Sequence, residues 1–330
     1  MKLSEFNYIL PQELIAQHPL EEREKAKLMV LNKKTGSIAH HKFCEIATFF
    51  KEGDMLLINN TRVIKARLKG HKETGGKIEI LLIREIEKKV WEAMISHAKR
   101  TKAGTKLLLD KNIYATIAEK KGSRCHLVFN SEVQDIIRKY GIVPLPHYIK
   151  RDTVKKDEEH YQTVFAKEQG SIAAPTAGLH FTDNILKKII NKNTIIAEIT
   201  LHIGPGTFRP IRAENIEDHD MESEYFEISQ DVISKVKQVR RVFGVGTSVC
   251  RAIETFAQTG KADGCTDLFI YPGHVFKMID CLITNFHLPC STPLLLVCAF
   301  AGKDLIFKAY REAIEKKYRF LSYGDAMLII

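Results

Sequence analysis

A chain of 330 residues, 45% of them hydrophobic, can bury a substantial core, and its length points to about two domains rather than a disordered chain. Its 50 Lys and Arg against 40 Asp and Glu give a net charge of +10, spread over many lysine-rich segments, which favours a polyanionic partner such as RNA. The 7 cysteines are scattered and never form a Cys-x-x-Cys pair, which argues against a zinc ribbon or a disulfide framework and for reduced, mostly buried thiols.

The first residues are acidic and polar where a secretory signal needs an apolar core, and no apolar run reaches the roughly 20 residues of a spanning helix; a cytoplasmic protein with no membrane partner is expected. Pro11–Glu13 open a short helical stretch that Pro19 ends, and the runs Leu28–Leu31 and Ser37–His41 around Lys33-Lys34-Thr35-Gly36 read as a hairpin. A helix carrying Phe43, Ile46, Ala47 and Phe50 follows. Met55–Ile58 is then a short apolar run suited to a buried strand, and it delivers Asn59-Asn60-Thr61-Arg62 at its carboxyl end, where open α/β sheets bind ligands.

From Val63 the period becomes 2. Strand-like runs recur at 63–69, 77–83, 90–95, 106–109, 113–117 and 125–129 with turn signals between them and almost no helix, which predicts a small barrel. Gly141–Pro146 reads as the return linker. The expected architecture is a Rossmann-like α/β domain formed by residues 1–62 and 146–330, with a small closed β-barrel domain inserted at 63–145.

After residue 150 helices and strands alternate. The small-residue loop Gly170–Thr182 can bring backbone N–H groups close to a ligand and leads straight into an amphipathic helix bearing Ile185, Leu186, Ile189 and Ile190. A strand at 194–201 runs into His202-Ile203-Gly204-Pro205-Gly206-Thr207, and a strand at 242–245 runs into Gly246-Thr247 and a helix with Arg251 and Glu254. Ser229 caps a helix reaching Arg240. Strands are also expected at Leu268–Tyr271 and Met278–Ile283, the second ending in Thr284-Asn285-Phe286-His287, and helices follow Ser291 and span 304–317.

Four polar or glycine-rich turns at strand ends converge on one crevice if their strands share a sheet, and glycines there suit an adenosine-like ligand. Gly244-x-Gly246 lacks the third glycine of the dinucleotide fingerprint, Val249 standing in its place, so a nicotinamide cofactor is unsupported. His180, His202, His219 and His287 lie in or beside these turns, at spacings that match no zinc pattern, and no metal is expected. Glu224, Glu254, Asp280 and Asp325 are candidate bases or ribose ligands, Glu254 also being placed for an ion pair with Arg251 on its own helix. Tyr161 and Gln162 could stack on or read a base.

Together the motifs resemble one family, the S-adenosylmethionine:tRNA ribosyltransferase-isomerases of queuosine biosynthesis. The likeness rests on Asn7-Tyr8-x-Leu10-Pro11, Asn60-Thr61-Arg62-Val63-Ile64-x-Ala66-Arg67-Leu68, Val143-Pro144-Leu145-Pro146, Tyr161-Gln162-Thr163-Val164 and Ala173-Ala174-Pro175-Thr176-Ala177-Gly178-Leu179-His180-Phe181-Thr182. It continues through Leu201-His202-x-Gly204-x-Gly206-Thr207-Phe208, Thr284-Asn285-Phe286-His287-Leu288-Pro289-x-Ser291-Thr292 and Ser322-Tyr323-Gly324-Asp325-Ala326-Met327, nearly the whole chain.

The resemblance implies transfer and isomerisation of the ribosyl moiety of S-adenosylmethionine onto 7-aminomethyl-7-deazaguanine at the tRNA wobble position, giving epoxyqueuosine with adenine and methionine leaving. S-adenosylmethionine is then a co-substrate, no cofactor is needed, and a monomer is expected. On this reading His180, Glu224 and His287 are catalytic, with His180 or Glu224 as the base that removes a proton made acidic by the sulfonium. Pro175, Thr176, Ala177, Gly178, His202, Gly204, Gly206, Thr207, Thr247 and Asn285 hold S-adenosylmethionine, and Arg62, Arg67, Tyr161 and Gln162 contact tRNA. The chain departs from the family pattern at Ala26-Lys27, where a Ser-Arg pair is usual, and at Glu222, where a second histidine is common. Lysine keeps the charge of arginine but loses its bidentate fork. An RNA methyltransferase using the same donor and a non-enzymatic RNA-binding module are the alternatives; the first would release S-adenosylhomocysteine, the second nothing.

Overall fold

A computed structural model describes residues 1–208 and 211–330; the side chains of Thr207 and Phe208 also lie outside the described residues, so the expected ligand contact of Thr207 falls there. The strands in chain order are β1 (Lys27–Leu31), β2 (Ile38–Lys42), β3 (Asp54–Asn59), β4 (Thr61–Val63), β5 (Arg67–Lys72), β6 (Lys77–Glu87), β7 (Val90–Ile95), β8 (Lys106–Asp110), β9 (Ile113–Lys121) and β10 (Arg124–Phe129). They continue with β11 (Glu168–Ser171), β12 (Ile195–Leu201), β13 (Glu224–Glu227), β14 (Arg241–Val245), β15 (Asp263–Thr266), β16 (Cys281–Asn285) and β17 (Ala326–Ile329).

Two compact units result. The first comprises Met1–Arg62, Pro146–Arg151 and His160–Ile330 and is built on a nine-stranded sheet of order β15-β13-β12-β3-β14-β16-β17-β1-β2. All six residues of β3 are buried, because alternate side chains enter different cores: Met55 and Leu57 join one apolar cluster, Leu56 and Ile58 the other. A strand covered on both faces reads as an unbroken apolar run, which is why this element was visible in the sequence. β12, β3, β14 and β16 run parallel to one another, so their carboxyl ends share one edge of the sheet.

The second unit, Val63–Leu145 with Asp152–Glu159, is a closed barrel of order β10-β7-β6-β5-β8-β9. Its interior is filled by every second residue of the strands, among them Ile78, Ile80 and Leu82 on β6 and Cys125, Leu127 and Phe129 on β10. The chain is therefore an α/β protein with a closed six-stranded barrel, the fold class the sequence indicates.

Local differences have local causes. The barrel unit contains a helix, Val133–Tyr140, in a region read as nearly helix-free; it is only 8 residues long and buries Val133, Ile136 and Ile137. The helices expected near residues 11 and 43 are 3₁₀ turns, Gln12–Leu14 and Phe43–Phe49. The strand expected at Leu268–Tyr271 lies instead at β15, whose sequence Asp-Gly-Cys-Thr has no apolar pattern and is held by antiparallel pairing to β13.

Candidate active site

The carboxyl ends of β12, β14 and β16 open on a cavity of about 300 Å³, lined by residues that follow each strand: Ile203 after β12, Gly246 and Thr247 after β14, and His287 to Ser291 after β16. Pro175, Thr176 and Ala177 of the small-residue loop form another wall, and Leu268, Phe269 and Ile270 supply apolar surface. The apolar run at 268–271 that resembled a strand is thus the lining of the cavity. An apolar pocket with few convergent polar groups, at the carboxyl edge of a parallel sheet, is the form small-ligand sites take.

Three polar devices face it. In the first, Thr176 Oγ1 donates to Asn285 Oδ1 at 3.0 Å, which leaves Asn285 Nδ2 to donate to His180 Nε2 at 3.2 Å. The His180 ring is buried, tilted against Phe43 with ring centroids 5.0 Å apart, and its pKa falls to about 3, chiefly through burial and further through the charges of Arg319 and Arg23. His180 therefore stands behind Asn285, not in the cavity wall, and is neutral.

The second device is a buried ion pair. Glu224, at the start of β13, accepts the Gly204 N–H on Oε1 at 2.7 Å and the Arg251 Nη1 on Oε2. Arg251 reaches it from the helix Thr247–Thr259 and also donates to the carbonyls of Leu268, at 3.0 Å, and Thr266, at 3.2 Å. Arg251 therefore does not pair with Glu254, whose carboxylate caps the backbone N–H groups of Lys277 and Met278.

The third is the amino end of that 13-residue helix. Gly246 precedes it at φ +89 and offers no side chain to cap it, and Gly246, Thr247 and Ser248 line the cavity, which brings an uncapped first turn to its wall. Unsatisfied N–H groups at a helix amino end attract negative charge. The second helix end at the cavity, Thr292–Ala301, is closed by its own cap, Ser291 Oγ accepting from Leu294 N at 3.4 Å.

His287 also lines the cavity. Its Nε2 is bonded to Thr284 Oγ1 at 2.9 Å, its backbone N–H donates to the Tyr310 hydroxyl at 3.0 Å, and burial lowers its pKa to about 3. Among the described residues no group of three or more His, Cys, Asp or Glu is placed to hold a metal ion.

The comparisons with known proteins decide the family. A family model described as "Queuosine biosynthesis protein" matches residues 3–329. A Sulfurihydrogenibium protein named S-adenosylmethionine:tRNA ribosyltransferase-isomerase is 48% identical over the full length of both chains, and one of the same name from Thermotoga maritima is 46% identical over both. The chain belongs to the S-adenosylmethionine:tRNA ribosyltransferase-isomerase family of queuosine biosynthesis. The crystal structure of S-adenosylmethionine tRNA ribosyltransferase from Thermotoga maritima matches with a TM-score of 0.57 and 36% identity, over 99% of this chain and 100% of that one.

Measured against the family's expected residues, the cavity collects Pro175, Thr176, Ala177, Glu224, Thr247, Asn285 and His287. Gly204 contributes its N–H to Glu224. Gly178 is packed away from the cavity: a methyl group there would lie 2.7 Å from the Phe165 ring. Gly206 sits against Glu222, whose Cβ would be 2.8 Å from such a methyl, so the Glu222 departure borders the glycine turn. His202 is not in the cavity wall either; its Nδ1 bonds Thr61 Oγ1 at 2.7 Å and its ring stacks on Tyr225.

Of the expected tRNA contacts, Arg62 is exposed, while Arg67 is engaged inside the barrel unit with the Leu145 carbonyl and Glu79. Tyr161 is 0% exposed, its ring edge-on to Tyr323, and offers no face for a base to stack on; Gln162 is half-buried and its carbonyl accepts from Arg23. Lys27, the other departure, donates its ammonium to the carbonyls of Lys316 and Lys317 at the end of the helix Lys303–Glu315, a cation at a helix carboxyl end.

Arg251, Ser248, Met221 and Tyr148 line the cavity without having been singled out as ligand-facing. The one available signal was Arg251, four residues into a helix that starts at the glycine turn.

The two depressed histidines predict an acid-labile fold. Between about pH 6.5 and pH 3 the unfolded chain binds protons that folded His180 and His287 refuse, so unfolding free energy should drop as pH falls, by up to ~1.4 kcal/mol per pH unit for each. Urea unfolding at pH 7, 6 and 5 measures it; a flatter profile in His180→Phe than in the parent would attribute the share of His180.

Proposed function

We propose that this ribosyltransferase-isomerase moves the ribosyl part of S-adenosylmethionine onto 7-aminomethyl-7-deazaguanine at the wobble position of tRNA and isomerises it to epoxyqueuosine, releasing adenine and methionine. The observation that carries the reading is the pairing, in one apolar cavity, of a buried carboxylate at Glu224 with an uncapped helix amino end at Thr247. S-adenosylmethionine is a sulfonium cation that also bears a carboxylate, so a site for it needs fixed negative and positive ends a few ångströms apart in a water-poor setting. Glu224 faces the sulfonium and is the acceptor for the proton that it acidifies. The amino end of Thr247–Thr259 takes the methionyl carboxylate.

Asn285, oriented by Thr176 and His180, hydrogen-bonds ribose or adenine. His287, neutral and in the cavity wall two residues further along the same strand end, does the same. Burial behind Asn285 takes the base role away from His180, because a general base must reach the proton it removes. Its part in this reading is to hold the Asn285 amide.

Incubation with adenine-labelled S-adenosylmethionine and tRNA bearing 7-aminomethyl-7-deazaguanine tests the reading. Free adenine, methionine and a ribosyl-sized mass gain on the anticodon nucleoside are expected. S-adenosylhomocysteine with a methyl-sized gain would make the protein a methyltransferase instead.

A further inference from the structure

The net positive charge of the chain is concentrated in its barrel. Residues 63–145 and 152–159 hold 20 Lys and Arg against 13 Asp and Glu, so this unit carries 7 of the 10 net charges. Much of the remainder is internally paired: Glu92 is bound by Arg84 and Arg124, Glu132 by Lys88 and Lys89, and Glu79 by Arg67.

The turn joining β7 to β8 is different. Its sequence, Ser96-His97-Ala98-Lys99-Arg100-Thr101-Lys102-Ala103-Gly104-Thr105, contains no acid, and among the described residues no carboxylate pairs with Lys99, Arg100 or Lys102, all exposed. Nor is this a loose basic tail. His97 enters at φ +52, a 3₁₀ turn spans Ala98–Arg100, and Thr101 is buried with its Oγ1 on the His97 carbonyl at 3.2 Å. Two further lysines tie the turn down from neighbouring strands. Lys120 Nζ donates to the carbonyls of Ala98 and Thr101, and Lys72 Nζ donates to that of Arg100 at 3.1 Å. Five cationic groups thus surround one fixed turn.

We propose that the turn 97–102 is a docking surface for the phosphate backbone of the tRNA, neutralising two or three phosphates through Lys99, Arg100 and Lys102. The inference rests on the proposed tRNA substrate and adds to it a place of contact. A pre-ordered cationic turn loses little entropy on binding and releases condensed counterions from the nucleic acid. The competing partner, an anionic membrane, needs apolar side chains to bury beside the charges; here only Ala98 and Ala103 are available.

The test is binding of an in vitro transcribed tRNA to the full chain and to a K99A/R100A/K102A variant, at 50 to 200 mM KCl. The variant should bind at least ~10-fold more weakly at 100 mM, with the slope of log Kd against log salt shallower by about 2, since each phosphate contact contributes roughly 0.7–0.9. KM for tRNA should rise in step, with kcat within about twofold. A K187A/K188A/K192A variant, which removes three exposed lysines from the α/β unit, should change neither quantity. Normal binding by the unaltered chain with equal affinity and slope in the turn variant would overturn this inference alone. So would an equal loss in the control variant, or lost binding to phosphatidylglycerol vesicles with tRNA binding unchanged. No tRNA binding by the unaltered chain would overturn the proposed function, and this inference with it.

Discussion

Glu224→Ala is expected to lower turnover by at least ~100-fold and unfolding free energy by about 3–5 kcal/mol. Both effects follow from one arrangement. The carboxylate is buried, takes the Gly204 N–H and the Arg251 guanidinium, and forms part of the cavity wall. Truncation strands a buried guanidinium and a backbone donor, and at the same time removes the negative charge that faces the sulfonium in the proposed reaction. The two losses can be separated. Glu224→Met combined with Arg251→Met removes both charges, and an apolar pair of similar volume is tolerated far better than a half-broken ion pair. That double variant should recover stability in part, since the Leu268 and Thr266 carbonyls still lack a donor, while turnover stays lost. Urea unfolding and kcat/KM for S-adenosylmethionine measure the two. Turnover returning together with stability would reduce Glu224 to a strut and remove it from the reaction.

Asn285→Ala should cost about 100-fold in kcat/KM, the scale on which one pre-oriented hydrogen-bonding group acts. The amide is the link through which Thr176 and His180 act on the cavity, and its loss leaves the Thr176 hydroxyl and His180 Nε2 without their partner. The isosteric Asn285→Asp sharpens the test. His180 now accepts from an amide and has a pKa near 3; a carboxylate in that place offers no proton but favours a charged imidazolium, so the pKa should move upward. Activity should fall as in the alanine variant, and the His180 ring should titrate by NMR in a range where the parent's does not. Near-normal kcat/KM in both variants would place ribose and adenine elsewhere.

Much of this organisation could be read from residue patterns, and the exceptions share causes. β3 and β14 were visible because strands covered on both faces are continuous apolar runs, and the barrel was visible because one-sided burial alternates. β15 was invisible because its pairing with β13 is a property of backbone groups, while the neighbouring apolar run 268–271 drew attention for a different reason, that it walls the cavity. The same limit governs the site. Sequence placed Thr176 and His180 in one motif and Asn285 and His287 in another but gave no depth order, so the histidine in the cavity wall and the one packed behind it looked alike. Arg251 was legible only as a helix residue near Glu254. Its partner Glu224, on another strand, follows from tertiary packing.

The order of strands in the large sheet has a consequence for how the protein is made. β1 lies between β2 and β17, Leu28 opposite Ala326, so a strand translated among the first residues waits for nearly 300 more before its second neighbour exists. At roughly 5–20 residues per second that delay is about 15–60 s. The barrel, whose strands all pair within residues 67–129, is complete early in this interval. On the ribosome, then, β1 pairs with the polar strand β2 on one edge and keeps its other edge and the apolar side chains of Leu28–Leu31 uncovered while the inserted domain closes behind it, a segment of the nascent chain that a chaperone would shield.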